Sequence, residues 1–303
     1  MIYKAEGEIA ADVYAAGHYI YPAYLIRGAK KRLMIEAGIN LLGPTYLKDM
    51  GRFFSDETGA DYALVTQSHY DHLGALSYLK EKYPGLMIGA SPHVASLVSK
   101  PSVLKTMNFL SGQLGDYFKD EIDAATEDVT IRPMKIDWGL KGGDIIHLGG
   151  CSCQVFETPG HTRDHLSFYF PEKSLLFPGE ALGNPAGDGT DVKVEFVSSY
   201  TDYVDSMEKL CRLSPRTMAM SHMYVYGDDD VKRFMGRTLR ATVAYRDLIV
   251  TYLDQAHGEI DAAVRQMTTV EYDRKKSVLM ERNAYIANLT AQIKAVHAAC
   301  GSS

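Results

Sequence analysis

Across 303 residues, 46% are hydrophobic, 23% are charged and the formal net charge is −6. That suffices for one large domain or a domain with an appendage, and with no basic stripe it argues against nucleic acid as a partner. No charged-then-apolar leader and no run of membrane-spanning length is visible, and four cysteines are too few and scattered for a disulfide framework, so a cytoplasmic protein without membrane partners is expected.

Short apolar runs at Val13-Tyr14-Ala15, Tyr24-Leu25-Ile26-Arg27 and Arg32-Leu33-Met34-Ile35-Glu36 predict strands ahead of Ala37-Gly38. A helix from about Pro44 to Ser55 follows, then a strand at Tyr62-Ala63-Leu64-Val65 and a helix through Leu73 to Leu79 that stops near Tyr83-Pro84-Gly85. Leu86 to Ala90 reads as the next strand, and Ser91-Pro92-His93 as a helix start with Ser as cap and Pro at the first position. From about 101 to 123 the chain leaves this alternation. Val103, Leu104, Met107, Leu110, Leu114, Tyr117 and Phe118 recur at helical spacing, which predicts inserted helices.

Strands resume at Ile131 to Asp137, Asp144 to Leu148 and Cys151 to Phe156, with a hairpin of Leu166 to Phe170 and Ser174 to Phe177 about Pro171-Glu172-Lys173. The glycine-rich stretch Gly183 to Gly189 reads as a mobile loop. From Val231 to the end only helical periodicity remains, for example Phe234, Met235, Leu239, Val243, Leu248 and Tyr252, then Val278, Ile286, Leu289 and Ile293, with breaks at Gly258 and Thr268-Thr269. The expected organisation is a domain of residues 1–230 and a C-terminal helical subdomain of 231–303, the latter offering a homodimer surface or a wall of a substrate pocket.

The residues that carry chemistry stand where predicted strands end. Thr66-Gln67-Ser68-His69-Tyr70-Asp71-His72 packs two imidazoles and a carboxylate into four positions between a strand and a helix, so side chains on a rigid backbone can converge on one point. His161 ends Thr158-Pro159-Gly160-His161, Glu180 follows Phe177-Pro178-Gly179, and His222 follows Thr217 to Ser221. Nitrogen and oxygen donors in such a cage suit a transition metal that activates water. His18, His93, His147, His257 and His297 have no such company and are assigned to core or surface. A metal role for Cys151 and Cys153 would need partners that the sequence does not show. There is no Gly-x-Ser-x-Gly elbow, Walker loop or dinucleotide fingerprint.

In order and local structure these motifs resemble the metallo-β-lactamase superfamily, over about Tyr3 to Gly227. The resemblance implies a four-layer αββα sandwich of α/β (α+β) class, with inserted helices and the helical C-terminus added. It also implies a metal one held by Gln67, His69 and His161, a metal two held by Asp71, His72 and His222, and Glu180 bridging them. Two positions depart from the pattern. Gln67 stands where the family has histidine, and Glu180 is one methylene longer than the usual aspartate. Both put more oxygen around one or two divalent metals, favouring iron or manganese over a nitrogen-rich zinc cage.

Within the superfamily the layout is most similar to the quinolone-signal response thioesterase and lactamase-like proteins with helical C-terminal extensions. That implies a hydrolase of an ester, thioester or lactone, a metal-bound hydroxide as nucleophile, and an apolar pocket for an acyl-type small molecule. Asp71 and His165 are the expected catalytic residues, His165 alternatively supporting the ligands from behind with Asp164. Tyr70, Tyr224 and Tyr226 are expected to line the pocket. Two other readings stay open: a di-iron protein that binds or reduces oxygen, and a non-catalytic ligand-binding protein with a degenerate site.

Overall fold

The computed structural model describes residues 1–55, 59–117, 127–275 and 282–301. Strands β1 (Ile2–Lys4), β2 (Gly7–Ala10), β3 (Val13–His18), β4 (Tyr21–Arg27) and β5 (Arg32–Ile35) lead into helix α1 (Gly43–Phe54). Next come β6 (Tyr62–Leu64), the one-turn α2 (Tyr70–Leu73), α3 (Leu76–Lys82), β7 (Met87–Ala90), α4 (Pro92–Val98) and α5 (Pro101–Tyr117). The chain continues through β8 (Trp138–Gly139), β9 (Ile145–His147), β10 (Ser152–Glu157), β11 (Leu166–Phe170) and β12 (Leu175–Phe177). A small ribbon, β13 (Asn184–Ala186) and β14 (Asp191–Lys193), precedes α6 (Tyr200–Cys211), β15 (Thr217–Ala219) and β16 (Tyr224–Gly227). Helices α7 (Asp229–Gln255), α8 (Ile260–Met267) and α9 (Arg282–Gly301) complete it, α8 running into a π-helical turn at Thr268–Arg274.

Strands β2 to β8 form one sheet in chain order, antiparallel up to β5 and parallel from β5 onward. The second sheet runs β1-β16-β15-β12-β11-β10-β9, with β12 and β15 its one parallel pair. Strand β4 shows why the sequence reads as an apolar run rather than as alternation. Tyr24 and Ile26 face the second sheet, whereas Ala23 and Leu25 face the helical layer of α1, α3, α4 and α5. A sheet covered on both faces needs apolar residues at every position. On the far side, Met218 and Tyr226 of the second sheet share a core with Tyr203 of α6, Phe234 of α7, Met267 of α8 and Leu289 of α9. The layers are therefore helix, sheet, sheet, helix, and the C-terminal helices belong to the outer layer's core.

Several expectations change. Ile131 to Asp137 is not a strand: the Asn108 side chain accepts from the Ile131 N–H at 2.8 Å and donates to its carbonyl at 2.9 Å, so α5 satisfies that backbone instead of a ladder. The expected loop at Gly183 to Gly189 contains β13, paired in register with β14. Gly74 divides the helix expected through Leu73 to Leu79 into α2 and α3. The insert is a single helix up to Tyr117; Phe118 to 123, like Val278, lies outside the described residues. Val243 is exposed. The Ser91 cap forms as expected, its hydroxyl accepting from the His93 N–H at 3.2 Å.

Candidate metal centre

Every candidate side chain hangs from an edge where strands of both sheets end. Gln67 to His72 follow β6, His161 lies between β10 and β11, Glu180 follows β12 and His222 follows β15. Two glycines make the tight turns possible. Gly160 has φ +132°, and a Cβ there would lie 2.3 Å from the Tyr203 Cα; Gly179 has φ +61°, and a Cβ would lie 2.4 Å from the His165 Nε2. No L-residue fits either position without displacing its neighbour.

The side chains form two groups, His69 with His161 and Glu180, and Asp71 with His72 and His222, each with ligand atoms within 4.8 Å of one another. In the first, the His161 Nε2 is 3.2 Å from the His69 Nδ1 and 2.5 Å from the Glu180 Oε2. In the second, the Asp71 Oδ2 is 3.7 Å from the His222 Nε2 and 3.9 Å from the His72 Nε2. Glu180 reaches both groups, its Oε2 lying 3.6 Å from the His72 Nε2 and its Oε1 3.5 Å from the His222 Nε2.

Three imidazoles are fixed from behind. The outer Nδ1 of His161 donates to the Glu195 carbonyl at 2.5 Å, that of His222 to the Ile20 carbonyl at 2.8 Å, and that of His72 to the Glu36 Oε1 at 3.0 Å. A proton held on the outer nitrogen leaves the inner Nε2 lone pair to converge on a cation. Glu36 was not foreseen as a site residue. Only 3% exposed, it also accepts from Thr66 Oγ1 at 2.7 Å and Ser221 Oγ at 2.9 Å, and holds an uncommon φ of +64°. The signal was present: Glu36 ends an apolar strand just ahead of Ala37-Gly38, the placement shared by the other site residues.

Gln67 is turned as a donor rather than a ligand. Its Nε2 donates to the Glu180 Oε2 at 2.6 Å and lies 2.8 Å from the His72 Nε2, while its Oε1 is buried without a hydrogen-bond partner. An orphaned buried acceptor costs ~1–3 kcal/mol. Half a turn of the amide exchanges its two ends and gives that oxygen a partner once a cation is present. The donor set therefore fits a divalent metal. Asn184, also unforeseen, donates through its Nδ2 to the Glu180 Oε1, so amides hold both carboxylate oxygens.

His165 is not placed to exchange protons with a substrate. Buried, it hydrogen-bonds Thr158 Oγ1 through Nδ1 at 2.8 Å and accepts the Glu180 backbone N–H on Nε2 at 3.0 Å. Both nitrogens are used, one of them holding the Glu180 backbone, and burial and His161 hold its pKa well below the usual range. Asp164 accepts from Ser68 Oγ at 3.3 Å behind the motif. Of the expected pocket tyrosines, Tyr226 belongs to the core and, like Tyr224, pins the glycine loop through its hydroxyl. Tyr70 packs beside the core of the first helical layer. Tyr21 instead meets His222 edge-on, ring centroids 5.5 Å apart.

Burial opposes charge throughout, but the carboxylates prevail at three rings. Glu36 and Asp71 raise the pKa of His72, and Glu180 raises those of His161 and His222. His161 in turn holds Glu180 well below the usual carboxylate range against burial. His69 goes the other way, lowered to about 4 by burial and by His161.

A family model described as the metallo-beta-lactamase superfamily matches residues 17–222. The chain belongs to that superfamily. It is 26% identical over 203 residues to the metallo-beta-lactamase fold-containing protein ST1585 of Sulfurisphaera tokodaii, covering 67% of this chain and 72% of that one. It is 28% identical over 173 residues to a hydroxyacylglutathione hydrolase of Rhodopseudomonas palustris strain BisA53, covering 57% of this chain and about half (51%) of that relative. Among solved structures, ST1585 from Sulfolobus tokodaii superposes with a TM-score of 0.58 at 20% identity, covering 100% of this chain and 98% of that one. The metallo-beta-lactamase family protein TTHA1429 of Thermus thermophilus superposes at 0.62 and 16% identity, covering 97% and 92%. At these identities the structural likeness establishes the fold.

Proposed function

We propose that the chain is a metal-dependent hydrolase of an ester, thioester or lactone, with its metal or metals held by His69, His161 and Glu180 and by Asp71, His72 and His222, Gln67 joining once its amide turns. The observation that carries this reading is the convergence of four imidazoles about one buried carboxylate, three of them fixed from behind through Nδ1. A divalent metal bound there supplies Lewis acidity and a lowered water pKa. Glu36, Asn184 and His165 keep the ligands aimed, and Asp71, at the more open side of its group, is the carboxylate able to accept a proton from the reacting water. Gln67, turned to present its oxygen where the family has histidine, replaces one nitrogen donor by oxygen, which favours iron or manganese, with zinc the alternative.

A thioester is favoured by the hydroxyacylglutathione hydrolases among the relatives. An apolar part to the substrate is supported by a cavity of about 430 Å3 lined by Val192, Val194, Tyr245, Leu248, Tyr285 and Gln292. That cavity lies against α7 and α9, in keeping with a branch that carries helical C-terminal extensions; α5, the inserted helix, is not among its walls. The half-buried Lys193, whose ammonium lies 2.6 Å from the Glu195 Oε1, stands at its edge and keeps its charge: burial lowers its pKa, but Glu195 outweighs it.

The test is metal content of protein purified without air or added metal, followed by assays with aryl esters, thioesters and lactones. One or two equivalents, turnover of one class, and its loss in His69→Ala support the reading; absence of turnover in the metal-loaded protein sinks it. One observation favours a second reading, a ligand-binding protein without turnover. Gln67 stands where the family has histidine, and its Nε2 donates to the Glu180 Oε2 at 2.6 Å instead of presenting its oxygen to the site. Metal-free protein of unchanged thermal stability would select it.

A further inference from the structure

We propose that Gln292 on α9, braced by Tyr245 on α7, is a positioning residue for His161, so that the C-terminal helices set one corner of the metal centre. The buried face of α9 is otherwise apolar here, with Tyr285, Leu289, Ile293 and Val296 in the helical core. Gln292 sits among them at 5% exposure. A buried amide is costly unless both ends are bonded, and both are. Its Oε1 accepts from the Tyr245 hydroxyl at 3.0 Å, and its Nε2 donates to the Val194 carbonyl at 3.0 Å. The tyrosine fixes which end of the amide faces the segment, so the carbonyl meets a donor.

The next residue turns that contact toward the metal centre. The Glu195 carbonyl takes the His161 Nδ1 proton at 2.5 Å, and the Glu195 side chain is tied to Lys193 at 2.6 Å. Because peptide units are planar, only the two backbone torsions of Glu195 separate the Val194 and Glu195 carbonyls. Holding the first restricts the second, and with it the plane and tautomer of the His161 ring. His222, by contrast, is held by the Ile20 carbonyl, outside this chain of contacts. The effect therefore falls first on the His69, His161 and Glu180 group, reaching the other only through Glu180.

The proposal rests on the metal reading of that group, and its test separates the two. Gln292→Leu and Tyr245→Phe are compared with Leu289→Ala, a core change on the same helix that leaves the hydrogen bonds in place. In metal-free protein labelled at histidine, Gln292→Leu is expected to shift the His161 imidazole N–H resonance and leave that of His222 in place. Partners bonded directly to ligands are worth ~10–100-fold in metal affinity, so one bond further out we expect about 3–10-fold weaker cobalt(II) binding at the His161 group, with the Asp71 group changed less than about twofold. Tyr245→Phe should act in the same direction and less; if the leucine variant does not fold, it carries the test alone. An unchanged His161 resonance and cobalt affinity overturns the proposal, as does Leu289→Ala reproducing both effects. Should no form bind cobalt, the hydrolase reading fails and the imidazole resonance still decides the positioning role.

Discussion

Glu36→Gln separates the charge of the buried carboxylate from its shape. In the parent, Glu36 Oε1 accepts from Thr66 Oγ1 at 2.7 Å, Ser221 Oγ at 2.9 Å and His72 Nδ1 at 3.0 Å. Hydrogen bonds to a charged group contribute ~1.5–3 kcal/mol against ~0.5–1.5 for neutral pairs, so three weakened bonds remove about 3 kcal/mol. Relief from burying a carboxylate returns part of that, while the new amide places a donor near the Thr66 N–H, which lies 3.5 Å from Oε2. The net expectation is a loss of about 1–3 kcal/mol in urea unfolding of the metal-free protein. Without the carboxylate behind it, the His72 ring is freer to turn and its inner nitrogen less basic, so cobalt(II) affinity at the Asp71, His72 and His222 group should fall about 10–100-fold. Chelator competition measures that affinity. A variant as stable as the parent, binding cobalt equally well, would refute the assignment of Glu36 as the group that aims His72.

Gly179→Ala should destabilise by about 2–4 kcal/mol and reduce turnover, since a methyl 2.4 Å from the His165 Nε2 at φ +61° displaces the ring that holds the Glu180 backbone; thermal melts and rates check it. Gln67→His should tighten metal at the His69, His161 and Glu180 group by about tenfold, ~1.4 kcal/mol; unchanged affinity would mean that this side chain serves only as a donor to Glu180. Metal-free stability should depend on pH through the raised histidines. Their contribution is complete below their unfolded value of 6.5 and is lost as pH rises through the higher folded values, while that of Glu180 is present above 4.5 and is lost as pH falls through its depressed folded value. His69, which protonates only near about 4 when folded, subtracts from stability below 6.5. Urea midpoints should therefore fall as pH rises above neutrality without metal. With excess manganese the trend should reverse, because protons leave the inner nitrogens before metal enters.

The sequence by itself determined the strand-end positions of its chemistry and, through the resemblance that those motifs carry, the sandwich. Apolar runs such as Tyr24 to Ile26 are dictated by a sheet covered on both faces, and the density of His69, Asp71 and His72 at one strand end survives any error in the boundaries around it. Tertiary structure decided what each polar group does. Whether Gln67 presents nitrogen or oxygen depends on Glu180, 113 positions away, and whether His165 meets substrate or backbone depends on where Gly179 lets the chain turn. Asn108, which takes the place of a strand partner for Ile131, could not be told from any helical asparagine. Glu36 and Gln292 are single polar residues whose partners come from distant elements, Ser221 for the one and Val194 for the other. Periodicity reports which face of an element is buried; hydrogen-bond partners brought together by the chain's path are not encoded in any local window.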